Sequence, residues 1–367
     1  MIEGAIDLRL GSPCDPPPDL VIDAMASAAD SLGPYGKSVG SPVFRQAAAD
    51  WMRRRLDVEI DPESVAACVG TKEFVAGLAL LLGAGCGRGR DTVLIPAVAY
   101  PTYAVGAELA GCRVVRVPMA DRFTLDLAGV DADDAARSRL LWVNSPGNPA
   151  GGLDDLEAAA AWGRERGIVV CSDECYVEYT WSGAPVGEVG LPASTMLSSG
   201  TSGVLALHSL SKRSNLAGGR IGFYAGDAAL IAELGERRRE LGLVVPGPMQ
   251  AAGATAWSDQ QHVTEQRERY LRRLERLAEA AVSAGCFDVR LPEGGFYLWL
   301  DVGDDDRAAV ATLAGAGVLV QPGSIYGAAG AGRVRLAAVR PDAEIDEAAR
   351  RLEALRGVLA GGAGLRR

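Results

Sequence analysis

The centre of the chain reads Gly167-Ile168-Val169-Val170-Cys171-Ser172-Asp173. The stretch before it, residues 153–166, is rich in alanine and carries two arginines in its last turn, which predicts a helix that ends at Gly167. The four apolar residues after this glycine predict a buried strand, and Asp173 follows it closely. A helix followed by a buried strand is the repeating unit of an α/β fold with a mostly parallel sheet.

The same alternation extends in both directions from this stretch. Strand patterns occur at residues 93–95, 114–117, 140–143 and 204–207, and a helical pattern covers residues 103–110. After about residue 262 the pattern changes to a long amphipathic helix at 264–284, short strands at 296–300, 318–321 and 334–336, and a last helix from 342. We therefore predict an α/β domain with a mostly parallel sheet, followed by a smaller α+β domain.

Composition excludes several classes of function. The 367 residues carry 37 Lys+Arg against 47 Asp+Glu, a net charge of −10, whereas a nucleic-acid-binding protein would present a basic face. The longest apolar run, residues 74–87, is too short to span a membrane, and Glu3 and Asp7 disfavour an export signal. Only two histidines, His208 and His262, are present, which disfavours a metal site or a hydrolase triad.

The cysteines indicate the compartment. Their number, seven, is odd, and most of them lie in apolar stretches. This pattern is typical of core packing in a reducing environment rather than of a disulfide framework. We therefore predict a cytoplasmic protein without a nucleic-acid or membrane partner.

Polar clusters follow three of the predicted strands, at residues 144–148, 173–176 and 209–213. Because ligands of open α/β sheets bind beyond the carboxyl ends of the strands, these clusters mark the expected site. Lys212 follows an apolar strand, where desolvation favours the neutral, nucleophilic amine. Ser209, Ser211 and Arg220 can hold a phosphate dianion, and Asp173 is an acid after a buried strand. A pyridoxal phosphate site requires a lysine, an acid and a set of phosphate-binding groups, and these residues can supply all three.

Four motifs carry a resemblance to a known family. Residues 145–151 resemble the N-P-x-N-P-T-G stretch of the class I/II aminotransferases, residues 173–176 their D-x-x-Y, and residues 209–212 their S-x-S-K, with Arg220 eight residues beyond Lys212. The resemblance extends from about residue 10 to residue 335. It implies a fold-type I enzyme with a three-layer large domain at 31–262, a small domain made of 1–30 and 263–367, pyridoxal 5′-phosphate as cofactor, and a homodimer with shared active sites.

The resemblance also implies roles around the cofactor ring. Lys212 would form the Schiff base and later move the proton at the substrate α-carbon. Asp173 would pair with the ring nitrogen. Tyr176 and Asn148 would hydrogen-bond the 3′ oxygen, and Tyr100 would stack on the ring.

The cofactor phosphate and the substrate have their own expected partners. The backbone of Thr71 and Lys72, the side chains of Ser209 and Arg220, and Tyr35 of the neighbouring subunit would hold the phosphate. Arg335, assisted by Asn148, would bind the substrate α-carboxylate, and the segment around Gly11 would line the substrate pocket. No metal is expected.

The substrate is less closely defined. Residues 209–218 and 70–74 are similar to actinobacterial succinyldiaminopimelate aminotransferases, which implies glutamate as donor and N-succinyl-diaminopimelate as product. Ala150, Ser145 and Gly219 depart from the common pattern, as in a paralogue that acts on another amino acid or in secondary metabolism. Another reaction at Cα (racemase, lyase, decarboxylase or oxidase) and a non-catalytic cofactor-binding regulator stay open as alternatives.

Overall fold

The structure is a computed structural model that describes residues 4–85, 89–181, 194–286, 289–357 and 359. Its strands are β1 (Ile6–Asp7), β2 (Val65–Cys68), β3 (Thr92–Pro96), β4 (Arg113–Val117), β5 (Ser138–Asn144), β6 (Val169–Asp173), β7 (Val204–Ser209), β8 (Gly222–Gly226), β9 (Tyr297–Asp301), β10 (Val318–Leu319), β11 (Gln321–Pro322) and β12 (Arg333–Ala337). Its helices are α1 (Asp19–Ser27), α2 (Pro42–Leu56), α3 (Thr71–Leu81), α4 (Thr102–Leu109), α5 (Ala132–Arg137), α6 (Leu156–Arg166), α7 (Leu210–Arg213), α8 (Ala228–Glu240), α9 (Gly247–Ser258), α10 (Gln261–Ala284), α11 (Asp306–Gly315) and α12 (Asp342–Ala354).

Seven strands form the central sheet, in the order β2-β8-β7-β6-β5-β3-β4. Neighbouring strands from β7 to β4 are parallel, and β8 is antiparallel to both of its neighbours. Successive side chains of a buried strand point to opposite faces of the sheet, so both faces carry apolar side chains. Helices cover both of these faces. In β6, Val170 belongs to the core under α2, α6 and α9, whereas Val169 and Cys171 belong to the core under α3, α4 and α8. These layers confirm the predicted α/β fold with a mostly parallel sheet.

A smaller α+β unit is built around a third hydrophobic core. Its antiparallel sheet has the order β11-β12-β9, and α10 packs against α12. The N-terminal segment joins this unit, because β1 pairs in parallel with β10 and Leu8 is buried in the same core. Helix α1, in contrast, packs against α9. The domain limits at 30/31 and 262/263 stay a prediction.

Two predicted elements differ from the observed ones for local reasons. The helix predicted from residue 153 begins at Leu156, because the Asp155 carboxylate caps it by accepting a hydrogen bond from the Ala158 N–H at 2.9 Å. The strand predicted over 318–321 is two strands, β10 pairing with β1 and β11 with β12, so the chain passes from one sheet to another at Val320. No helix in the described part of the chain is long and apolar enough to cross a membrane.

Candidate active site

The carboxyl ends of the parallel strands meet at one edge of the central sheet. Asn144 at the end of β5 lies opposite Asp173 at the end of β6, and Ser209 ends β7. Beyond this edge lies a cavity of about 420 Å³, which the small unit closes from the other side. Eleven of the predicted site residues line it: Gly11, Thr71, Lys72, Tyr100, Asn148, Asp173, Tyr176, Ser209, Lys212, Arg220 and Arg335.

Tyr35 is the predicted site residue that does not lie in the cavity. Its side chain is fully exposed on the surface of the single chain. The role expected for it belongs to a neighbouring subunit, so this role and the homodimer stay predictions.

Lys212 lies on the short helix α7, at the wall of the cavity. Its Nζ donates a hydrogen bond to the Gly11 carbonyl oxygen, which places the amine beside the N-terminal segment. The buried Tyr179 hydroxyl interacts with the carbonyl oxygens of Lys212 and Arg213, at 3.0 and 3.1 Å. Arg213 is itself buried and donates to Glu178 at 3.3 Å. The backbone of Lys212 is therefore fixed while its amine faces the cavity.

Asp173 is buried, with 7% of its surface exposed, and it forms no ion pair with any described residue. Its Oδ2 accepts a hydrogen bond from the Tyr103 hydroxyl at 2.9 Å, and its Oδ1 accepts one from the Cys175 N–H at 3.3 Å. Burial raises the pKa of Asp173, while these hydrogen bonds and the charge of Lys212 act in the opposite direction. A buried carboxylate held in this way is suited to a cationic partner in the cavity.

One end of the cavity is built to hold an anion. Helix α3 begins there at Thr71, and no side chain caps its N-terminus. Gly70, with φ of +73°, makes room for Arg220, because a Cβ at this position would lie 2.3 Å from Arg220 Nη2. A helix N-terminus beside a guanidinium and the Ser209 hydroxyl attracts a phosphate dianion. These residues therefore fit the phosphate of the predicted cofactor.

Arg335 also lines the cavity, and it lies on β12. Its Nη1 donates to Asn148 Oδ1 at 2.8 Å and its Nη2 to the Arg9 carbonyl oxygen at 2.6 Å. Its guanidinium lies 4.1 Å from the centre of the Tyr297 ring. The side chain is buried, its Nε has no hydrogen-bond partner, and no described carboxylate pairs with it. A buried, unneutralised guanidinium of this kind is suited to a ligand carboxylate.

Several functional residues were missed by the sequence analysis. Tyr103, the partner of Asp173, lies on α4 three residues after Tyr100, and this nearness in sequence could have indicated it. Asn144 fixes the loop that follows it, because its Oδ1 accepts from the Asn148 N–H and its Nδ2 donates to the Asp173 carbonyl oxygen, both at 2.8 Å. Tyr297, whose hydroxyl lies 3.0 Å from that of Tyr176, reaches the cavity from the small unit, so no local pattern indicates it.

A Ser–His–Asp chain exists despite the small number of histidines. His262 Nε2 lies 2.8 Å from Ser214 Oγ, and His262 Nδ1 contacts the Asp259 carboxylate. Ser214 is only 1% exposed and lines none of the described cavities, so its hydroxyl cannot reach a substrate. This chain of contacts fixes the segment after α7.

Comparison with known proteins identifies the class that this fold and site define. The family described as aminotransferase class I and II matches residues 3–352, and the chain therefore belongs to it. Members of this family use pyridoxal phosphate.

Individual relatives agree with this assignment. The chain is 44% identical to a 4-dedimethylamino-4-oxo-anhydrotetracycline transaminase of Streptomyces rimosus, over 95% of this chain and 93% of that one. It is 32% identical to an LL-diaminopimelate aminotransferase of Dehalococcoides mccartyi, over 94% and 89%. A solved structure of a probable N-succinyldiaminopimelate aminotransferase of Thermus thermophilus superposes with a TM-score of 0.86 at 31% identity, over 96% and 95%. The protein is a transaminase.

Proposed function

We propose that this transaminase binds pyridoxal 5′-phosphate in the cavity and transfers the amino group of glutamate to a carbonyl acceptor. The observation that carries the proposal is that one cavity is lined by Arg220 beside an uncapped helix, by Asp173 and Lys212, and by Arg335. The charge of the lining supports anionic ligands, because four cationic residues (Lys72, Lys212, Arg220 and Arg335) line the cavity with one carboxylate, Asp173, while Arg9 is paired with Asp7 at 2.7 Å.

The residues that would hold the cofactor are divided along the cavity. Arg220, Ser209 and the backbone of Thr71 and Lys72 would bind the phosphate. Asp173 would accept a hydrogen bond from the ring nitrogen, and Tyr100 would pack on the ring. Tyr176 and Asn148 would donate hydrogen bonds to the 3′ oxygen. When bound, pyridoxal phosphate supplies the electrophilic carbon and the electron-withdrawing ring that the transfer requires.

The chain's own side chains perform the remaining tasks. Arg335 binds the substrate α-carboxylate and thereby orients the α-carbon towards Lys212. The Lys212 amine would act as the base that takes the proton from that carbon and as the acid that gives a proton back. Asn148 supports this geometry, because its amide oxygen is already hydrogen-bonded to Arg335 at 2.8 Å.

The acceptor that we favour is a ketone of the kind named in the tetracycline relative. The identity to that relative is 44%, against 32% for the LL-diaminopimelate aminotransferase, and it extends over nearly the whole of both chains. Departures at Ala150, Ser145 and Gly219 agree with a shift in substrate. An N-succinyl-diaminopimelate precursor is the second candidate, supported by the 31% identical Thermus structure.

A donor and acceptor panel on the holoenzyme tests this proposal. Glutamate should abolish the visible absorbance of the bound cofactor, and a ketone acceptor should restore it. The Lys212→Ala variant should lose both turnover and this absorbance, whereas Arg307→Ala, at an exposed cationic residue outside the cavity, should keep both. Release of carbon dioxide or ammonia without loss of the absorbance would contradict transamination.

The proposed homodimer needs a separate experiment. Tyr35→Ala should weaken cofactor binding, because the partner subunit would lose one phosphate ligand. Mixing this variant with Lys212→Ala should form hybrids with one intact site and recover part of the activity. If the two variants are shown to exchange subunits and no activity returns, the proposal of shared active sites is contradicted.

A further inference from the structure

Tyr297 contacts both Arg335 and Tyr176 in the active-site cavity. It begins β9 in the small unit and pairs with Ala337 of β12, so its side chain enters the cavity from the side opposite the central sheet. Its ring lies against the Arg335 guanidinium, at 4.1 Å. Its hydroxyl lies 3.0 Å from the hydroxyl of Tyr176, and both tyrosines are buried.

The position of this hydroxyl is fixed by a glycine. A Cβ on Gly11 would lie 1.8 Å from Tyr297 Oη and 2.7 Å from Cζ, so only glycine leaves room for the phenol at this place. On the other side, the Tyr176 and Tyr297 rings pack edge to face, with centroids 5.7 Å apart. The hydroxyl is thus held between Gly11 and Tyr176.

The direction of the hydrogen bond between Tyr176 and Tyr297 follows from the number of protons that each hydroxyl can donate. A phenol has one proton to donate, and its oxygen can also accept. If Tyr176 donates its proton to the 3′ oxygen of the cofactor, as in the proposed function, its oxygen can only accept from Tyr297. We infer that Tyr297 is a positioning residue that donates a hydrogen bond to Tyr176 and so strengthens the hydrogen bond from Tyr176 to the cofactor.

The inference rests on the proposed function, and it predicts the direction in which the pKa of the lysine-bound cofactor changes. A hydrogen bond to the 3′ oxygen of the cofactor stabilises the negative charge of that oxygen. The stabilisation is largest when the nitrogen that joins Lys212 to the cofactor has lost its proton, so the hydrogen bond lowers the pKa of that nitrogen. Donation from Tyr297 polarises the Tyr176 hydroxyl and adds to this effect, since chains of hydrogen bonds strengthen each other. Loss of the Tyr297 hydroxyl should therefore raise that pKa.

The other titratable groups around the pair come from four different segments. They are Asp173 and Cys175 at the end of β6, Lys212 on α7, Arg335 on β12 and Tyr326 in the turn before β12. Tyr297→Phe leaves each of these in place, because it removes one oxygen and keeps the ring against Arg335. Tyr326→Phe is the matched control, since that ring also lines the cavity and lies 5.2 Å from the same guanidinium.

The test is a spectrophotometric pH titration of the visible absorbance of the holoenzymes. For Tyr297→Phe we expect the midpoint to rise by about 0.3 pH unit, and Tyr326→Phe should titrate like the parent protein. In a Tyr176→Phe background, Tyr297→Phe should cause no further shift.

Each other result has a clear meaning. An unchanged midpoint for Tyr297→Phe, or an equal shift in the Tyr326 control, overturns the inference. A lower midpoint overturns it too, because Tyr176 would then have been donating to Tyr297. A parent protein that shows no titrating visible band contradicts the proposed function itself, and this outcome is distinguishable from the others before any variant is made.

Discussion

The hydroxyl of Tyr103 donates a hydrogen bond of 2.9 Å to Oδ2 of Asp173, and both groups are buried. The Tyr103 ring is held by stacking on Trp142, with centroids 4.8 Å apart and an angle of 19° between the planes. A carboxylate that loses water on burial depends on such donors to remain charged. Tyr103 therefore supports the negative charge of Asp173, which the proposed cofactor ring would require.

Replacing Tyr103 by Phe should weaken the binding of pyridoxal phosphate by about tenfold, because a hydrogen bond to a charged group is lost. The measurement is the dissociation constant from titration of the apoprotein with pyridoxal phosphate. Tyr224→Phe is the matched control, since its hydroxyl is also buried and has no hydrogen-bond partner among the described residues. Equal effects of the two substitutions would show that Tyr103 only packs.

Replacing Gly70 by Ala should disrupt the phosphate end of the cavity. The new Cβ would lie 2.3 Å from Arg220 Nη2, so the guanidinium must move away from the helix N-terminus. We expect the affinity for pyridoxal phosphate to fall about tenfold or more. Gly203→Ala is the control for the backbone strain of an alanine at a positive φ. Gly203 has a φ of +69°, but a Cβ at this position would have open space around it. If Gly70→Ala bound pyridoxal phosphate with full affinity, Arg220 would not be a phosphate ligand.

Replacing Arg335 by Lys should raise KM for the amino donor by about tenfold or more, because a lysine cannot form a bidentate pair with a carboxylate. The affinity for pyridoxal phosphate should change little. Steady-state kinetics of Arg333→Lys provide the control, since Arg333 lies two residues away, outside the cavity, and pairs with Asp301 at 3.4 Å. A normal KM in Arg335→Lys would place the carboxylate elsewhere.

The buried pair Glu174 and His208 should make stability depend on pH. Burial raises the pKa of Glu174 to about 7 and lowers that of His208 to about 3, and the carboxylate lies 3.4 Å from the imidazole. Because the folded-state pKa of Glu174 is raised, its stabilising contribution is full below the unfolded value of about 4.3 and is lost as pH rises through 7.

Glu174→Gln removes this titration. The variant should therefore gain up to about 3 kcal/mol in free energy of unfolding relative to the parent protein between about pH 5 and pH 8. Urea unfolding at several pH values measures the difference. A difference that is constant across this range would mean that Glu174 titrates normally in the folded protein.

Local patterns were sufficient for the fold and for part of the cavity lining. Apolar runs such as residues 168–171 identify buried strands, and the carboxyl ends of parallel strands meet at one edge for topological reasons, which is why Asp173 and Lys212 could be placed together. Arg335 was included through the family resemblance, since an arginine between two apolar residues does not reveal by itself that it is buried.

The sequence by itself determined the α/β class and the family, and it predicted the roles of Lys212 and Asp173. Only the tertiary structure decided which groups touch them: Tyr103 on Asp173, Gly70 under Arg220, and Tyr297 between Tyr176 and Arg335. The physical reason is that periodicity reports the environment of a residue, whereas contacts between segments far apart in the chain depend on how the sheets and helices pack.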